Sequence, residues 1–245
     1  MGEPLIELRK VSFTAQDNRI VDDVSLAFTE GTATALTGPS GGGKSTVLKL
    51  AAGILVPDRG SVRYRGRNIA AFNRAQNLNF RRETAVVFQD SALWANQTLY
   101  QILELPLSIH YPRMTGKERE RRILEVVSEV GYKRDLMTRP ALLSMGEQKL
   151  IGFARAMLCR PAVLFLDEWT ESLDDKAVRR LVSLVRRFRS EGNTLVFISH
   201  DFNLVSSLSD CVVMITDGKV SAEVSREELK QNAKVAGLIE EGMNE

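Results

Sequence analysis

The sequence predicts an α/β fold with a buried, largely parallel sheet, and three observations carry that prediction. A glycine-rich run at 38–43 stands between a short strand of small residues and an amphipathic helix. Two near-continuous apolar stretches, 162–166 and 194–198, have the length and the β-branched or aromatic content of strands covered on both faces. Between them 176–190 reads as a helix, which completes a strand–helix–strand unit. The chain has 245 residues, 44% apolar and 26% charged, which excludes collagenous, mucin-like and disordered classes and suits one large domain or a domain with an inserted lobe. Its 33 basic and 31 acidic side chains nearly cancel, so no long-range field argues for nucleic acid or an acidic membrane as the main partner.

Taken in order, 5–14 and 24–29 alternate in hydropathy as strands do, and 32–37 is a short buried strand that stops at Gly38. A helix opens near Lys44 with Val47, Leu48, Leu50 and Ala51 on its buried face, and Gly53 with the turn at 57–60 ends it. Strands at 61–64 and 84–88 bracket a polar connection. From 91 to 140 the pattern is helical, with Ile123, Leu124, Val126, Val127 and Val130 on one side of a helix at 117–130. Cys159 and Cys211 lie far apart in apolar surroundings and read as reduced core thiols. The N-terminus lacks the pattern of a secretory signal, Ile6 fails the myristoylation motif, and no run approaches the ~18 apolar residues of a membrane span.

Gly38-Pro39-Ser40-Gly41-Gly42-Gly43-Lys44-Ser45-Thr46 satisfies G-x-x-x-x-G-K-[ST] directly after a strand and at the opening of a helix. At average residue usage this pattern arises by chance in about one chain per hundred of this length. Its glycines allow a nest of backbone N–H groups, and the helix N-terminus adds its dipole, so the loop is built to hold phosphates. Lys44 is expected to neutralise the β and γ phosphates, Ser45 to ligate Mg²⁺ and Thr46 to contact the α phosphate. The buried strand 162–166 ends in Asp167-Glu168, at the edge where open α/β sheets bind ligands. By the logic of phosphate-loop enzymes Asp167 would hold Mg²⁺ and Glu168 would orient or deprotonate the attacking water.

Leu143-Ser144-Met145-Gly146-Glu147-Gln148 resembles the signature Leu-Ser-Gly-Gly-Gln of ABC-type ATPases. Phe88-Gln89 resembles their Q-loop, Ser172-Leu173-Asp174 their D-loop and Ser199-His200-Asp201 their switch-histidine motif, all in the family's order over 5–224. The resemblance implies a P-loop core at 1–90 and 159–225 with an N-terminal antiparallel β subdomain, an α-helical subdomain at 91–158 and a C-terminal tail at 226–245. It implies ATP and Mg²⁺ as ligands, with Gln89 touching Mg²⁺ and the attacking water, and His200 bonding the γ-phosphate. Ser144 and Gly146 would bind ATP held on the opposite subunit of a head-to-tail homodimer, and Asp174 would couple the two sites.

The same resemblance implies cytoplasmic placement on the inner face of the cell membrane, beneath separate permease subunits. Leu93, Trp94 and Tyr100 are candidate permease contacts. The segment from Phe88 to Leu107 and the tail 234–242 are similar to ATPases of Mla- and Mce-type lipid transport systems, whose tail contacts the sister ATPase, so lipid cargo and an Mce-domain or lipid-binding partner are implied. Four positions depart from the family pattern: Ala15 stands where an aromatic usually stacks on adenine, Met145 and Glu147 replace Gly and Gln, and Trp169 replaces a Pro. The competing readings are transport of another cargo, a soluble ABC ATPase of DNA repair or translation, a P-loop kinase, and a nucleotide-binding module without catalysis. The absence of a long coiled-coil insertion or a second cassette, together with the signature, Gln89, Glu168 and His200, weighs against the last three.

Overall fold

In the computed structural model, which describes residues 4–244, contacts divide the chain into a first unit, Met1–Asn77 with Gly192–Glu245, and a second, Leu78–Glu191. The motif readings at residues 1–3 lie outside the described residues.

The first unit holds an antiparallel sheet in which β1 (Pro4–Ala15) pairs with β2 (Asn18–Thr29) on one side and β4 (Arg59–Tyr64) on the other, with β5 (Arg67–Asn68) beyond β4. Strand β2 begins at Asn18 rather than near Val24. Register shifts between Leu8 and Thr14 and a left-handed Asp23 (φ 55°) break the period-two alternation that makes a strand legible. The unit's second sheet places β3 (Ala33–Thr37) parallel to both β8 (Thr194–Ile198) and β9 (Cys211–Thr216). Every residue of β3 and β8 is buried, Thr34, Thr37 and Thr194 along with the apolar ones. Strand β10 (Lys219–Ser225) returns antiparallel to β9 through Asp217 (φ 48°) and Gly218 (φ 72°), the paired left-handed residues of a type I′ turn. Helix α1 (Lys44–Ala51) buries the face read from the sequence. Helices α7 (Phe202–Leu208), α8 (Arg226–Gln231) and α9 (Ala233–Asn244) complete the unit.

In the second unit β6 (Thr84–Val87) and β7 (Val163–Asp167) run parallel. The polar stretch before β6 is a helix, α2 (Arg74–Glu83), whose first turn belongs to the first unit; its one buried residue, Phe80, leaves no apolar stripe for the sequence to show. Capping boxes open α3 (Leu99–His110) at Thr98 and Gln101, α4 (Gly116–Val130) at Thr115 and Glu118, and α5 (Met145–Met157) at Ser144 and Glu147. Helix α4 buries Ile123, Val126, Val127 and Val130 at helical spacing, whereas Leu124 is 53% exposed because position i+1 turns about 100° off the buried face. Helix α6 (Asp175–Ser190) buries Leu181, Val182, Val185 and Phe188 and starts from an Asp174 cap. Among the described residues no helix is long and apolar enough to cross a membrane.

Both cysteines are free, Cys159 buried and Cys211 partly exposed. Burial pushes the Cys159 thiol up to about 11. At pH 8 roughly one Cys159 in a thousand is then thiolate, the reactive form. Iodoacetamide should leave Cys159 unmodified at pH 8 in the folded protein and alkylate it in denaturant, as read by peptide mass spectrometry.

Candidate active site

In the first unit β3 and β8 are in parallel register, with Leu36 opposite Ile198. Gly38 and His200 each lie two residues further on, so the phosphate loop and the histidine leave the sheet at the same carboxyl edge. Gly38 sits at φ 126°, and a Cβ there would stand 2.2 Å from the Ile215 carbonyl oxygen. Gly43, at φ 99° on the N-cap of α1, would bring its Cβ within 2.8 Å of the Ile20 carbonyl oxygen. No other residue type fits either position. The loop is braced by the β9–β10 turn, since Gly218 donates its N–H to the Gly42 carbonyl (3.0 Å) and accepts from the Asp22 N–H (2.9 Å). The Lys44 ammonium, 7% exposed, donates to the carbonyls of Gly38 and Pro39, both at 2.7 Å. Ser40 and Gly41 are exposed, while Ser45 and Thr46 are half-buried on the first turn of α1. His200 is exposed, and its Nδ1 donates to the Met243 carbonyl of α9 at 3.3 Å.

In the second unit β6 and β7 are likewise in parallel register, with Val87 opposite Leu166. Two residues on from each stand Gln89 and Glu168, and Gln89 Nε2 donates to Glu168 Oε2 at 2.5 Å and approaches Glu171 Oε2 at 3.5 Å. Asp167 closes β7 with 2% exposure, whereas Glu168 is half-buried and held at φ 45°, a left-handed conformation that costs a non-glycine residue about 1–3 kcal/mol.

That strained segment rests on one face of α5. Gly146, Lys149 and Phe153 follow one another at helical spacing and meet Ser172, Glu168 and Trp169 in turn. A Cβ on Gly146 would come within 2.8 Å of the Ser172 carbonyl oxygen, so the helix start lies directly on the loop backbone. Lys149, 2% exposed, donates to the Glu168 carbonyl, and the Phe153 and Trp169 rings pack with centroids 6.1 Å apart. Burial lowers the Lys149 pKa, opposed by the carboxylates of Glu171, Glu168 and Asp167. Ser144 and Asp174 are both exposed helix caps: Ser144 Oγ accepts the Glu147 N–H and donates to the Glu147 carboxylate, and Asp174 accepts from the Ala177 N–H at 2.8 Å. Arg134 bonds the same Glu147 carboxylate at 3.2 Å. Among the described residues no cluster of three or more His, Cys, Asp or Glu could hold a metal by itself.

The sequence model of the family described as "ABC transporter" matches residues 21–171, more than half of the chain. The chain belongs to the ABC transporter family. It is similar to the methionine import ATP-binding protein MetN of Brucella abortus, at 31% identity over 90% of this chain and 59% of that protein, so it spans well under two thirds of that relative. It is equally similar, at 31% over 93% of this chain and 85% of the relative, to the intermembrane phospholipid transport system ATP-binding protein MlaF of Escherichia coli K12. Its fold is that of the ABC cassettes: the dimeric post-hydrolysis cassette MJ0796 bound to ADP and Pi aligns with a TM-score of 0.82 at 27% identity, over 90% of this chain and 98% of that one.

Three residues of this ABC cassette escaped the sequence reading. Lys149 and Arg155 are the two cations of α5, set among the buried Ile151, Phe153, Ala154 and Ala156, and that mismatch was the available signal. Arg155 donates to the carbonyls of Ser91 and Ala92, both in left-handed backbone, and lies 5.7 Å over the Trp94 ring. Glu171 had no distinguishing neighbours in the sequence. Trp169 is buried, and its Nε1 finds no hydrogen-bond partner among the described residues, a defect of about 1–3 kcal/mol. Trp169→Phe should therefore leave stability unchanged or raised, while Trp169→Ala should lose about 3–5 kcal/mol in urea denaturation.

Proposed function

We propose that this chain is the ATP-binding and hydrolysing subunit that powers transport through separate permease chains. The Gln89–Glu168 hydrogen bond carries the reading, because it aims an acid at the end of a buried strand with a side chain from a neighbouring strand. Lys44 would exchange the loop carbonyls for the β and γ phosphates, while the backbone of 38–43 cradles the chain and Ser45 and Thr46 complete the contacts. Glu168 would take the proton of the attacking water, and Gln89 and His200 would hold water and γ-phosphate in line.

The donor set suits Mg²⁺: the Ser45 hydroxyl, the Asp167 carboxylate and the Gln89 amide oxygen are all hard oxygens, and this ion takes few protein ligands beside phosphates and water. When bound, it supplies neutralisation of the triphosphate charge. Ser144 and Gly146, at the start of the 13-residue α5, would offer its N-terminal dipole to a γ-phosphate on a second copy. The dimeric solved cassettes support self-association, and we take the pair as head-to-tail with Asp174 between its sites. We take 91–158 as the helical subdomain and 226–245 as the tail. Within the former, Trp94 is 46% exposed and, with Leu93 and Tyr100, forms the candidate permease contact.

The cargo we assign is lipid of the Mla or Mce type, with an Mce-domain or lipid-binding partner at the inner face of the cell membrane. The assignment rests on 88–107 and on the tail, since MetN and MlaF are equally similar to this chain.

Glu168→Gln should retain ATP binding and lower kcat by about a hundredfold or more, the contribution of a general base, in a steady-state ATPase assay. Lys44→Ala should weaken ATP binding roughly tenfold to a hundredfold by equilibrium titration, and wild-type affinity would remove Lys44 from the site. Mild-detergent purification from native membranes with mass spectrometry should recover a multi-span permease and an Mce-domain protein; another permease would replace the cargo, and a soluble partner alone would end the transport reading.

A further inference from the structure

We propose that Lys149 is a positioning residue for hydrolysis, fixing the Glu168 backbone so that its carboxylate faces the attacking water. The proposal rests on the reading of Glu168 as the group that polarises that water.

Glu168 combines two demands that conflict. It must keep a left-handed backbone at φ 45°, which the unconstrained chain leaves readily, and it must present its carboxylate in one direction. Gln89 holds the carboxylate end, but a side-chain bond alone leaves the peptide after Glu168 free to rotate. The Lys149 ammonium closes that freedom by donating to the Glu168 carbonyl from a site that is 2% exposed. Its origin is fixed in turn, because Gly146 one turn earlier abuts the Ser172 backbone and Phe153 one turn later packs on Trp169. A buried ammonium is expensive unless paired, and an uncharged polar or apolar residue would suffice for packing alone. Its burial beside a carbonyl that belongs to a strained residue, with the carboxylates of Asp167, Glu168 and Glu171 supplying counter-charge, is what a positioning function requires.

The test is a double-mutant cycle on the full chain, read as single-turnover and steady-state ATP hydrolysis with thermal unfolding as a control. Lys149→Met keeps the unbranched apolar stem, one atom shorter, and removes its donor. It should lower kcat about tenfold with KM for ATP within twofold of wild type, and Lys149→Arg should restore much of the loss. In the Glu168→Gln background Lys149→Met should slow hydrolysis no further, because residues acting as one unit are not additive. Equal losses in both backgrounds, or a raised KM with unchanged kcat, would overturn the proposal by showing that Lys149 acts apart from Glu168 or on nucleotide binding. If Lys149→Met fails to fold, the cycle is read with Lys149→Gln, which retains a donor of shorter reach and should fall in kcat likewise. A wild-type rate for Glu168→Gln alone would instead remove the parent reading, an outcome the cycle separates from failure at Lys149.

Discussion

The arrangement of the second unit depends on how α5 lies along the loop that follows β7. A glycine, a lysine and a phenylalanine one helical turn apart give that face three different surfaces: a gap for the Ser172 backbone, a donor for the Glu168 carbonyl and an aromatic wall for Trp169. Each contact alone is modest. Together they hold a loop with two left-handed non-glycine residues, Glu168 and Ser172, in a conformation that an isolated segment would abandon. Ser144 caps the same helix, so the residues expected to meet a second nucleotide and those that hold the carboxylate loop belong to one element and its cap.

Strand register does for the side chains what α5 does for the loop backbone. Val87 opposite Leu166 makes Gln89 and Glu168 neighbours, and Leu36 opposite Ile198 brings Gly38 and His200 to one edge. A slip of one residue in either pair would turn these side chains to the opposite face. Complete burial of β3, β7 and β8 is the guard against it, since any slip would also displace apolar side chains packed on both faces. The phosphate loop has its own brace in the β9–β10 turn, whose Gly218 bonds both the loop and β2. Helix α9 returns to this edge, where Gly242 approaches Met214 closely and Met243 accepts from His200.

The features legible in the chain alone were encoded within a few residues of one another. The phosphate loop was legible because its glycines answer local steric demands, as Gly38 and Gly43 show, and β7, β8 and α6 were legible because burial on two faces or on one stripe leaves a periodic trace. The order of the motifs carried the family. Where the local trace was broken the reading stopped short: bulges hid the first half of β2, and α2 buries too little to show a stripe.

Which of the named residues touch follows from how the strands and helices pack. Gln89 and Glu168 lie 79 positions apart, and their bond exists because two strands pair in one register. Lys149 reads in the sequence as one more helix cation, and becomes a buried donor to Glu168 only through the rotation of α5 about its axis. Local chemistry specifies backbone shape, whereas contacts between distant side chains follow from packing the whole core at once, and so they are set by structure rather than by any single segment.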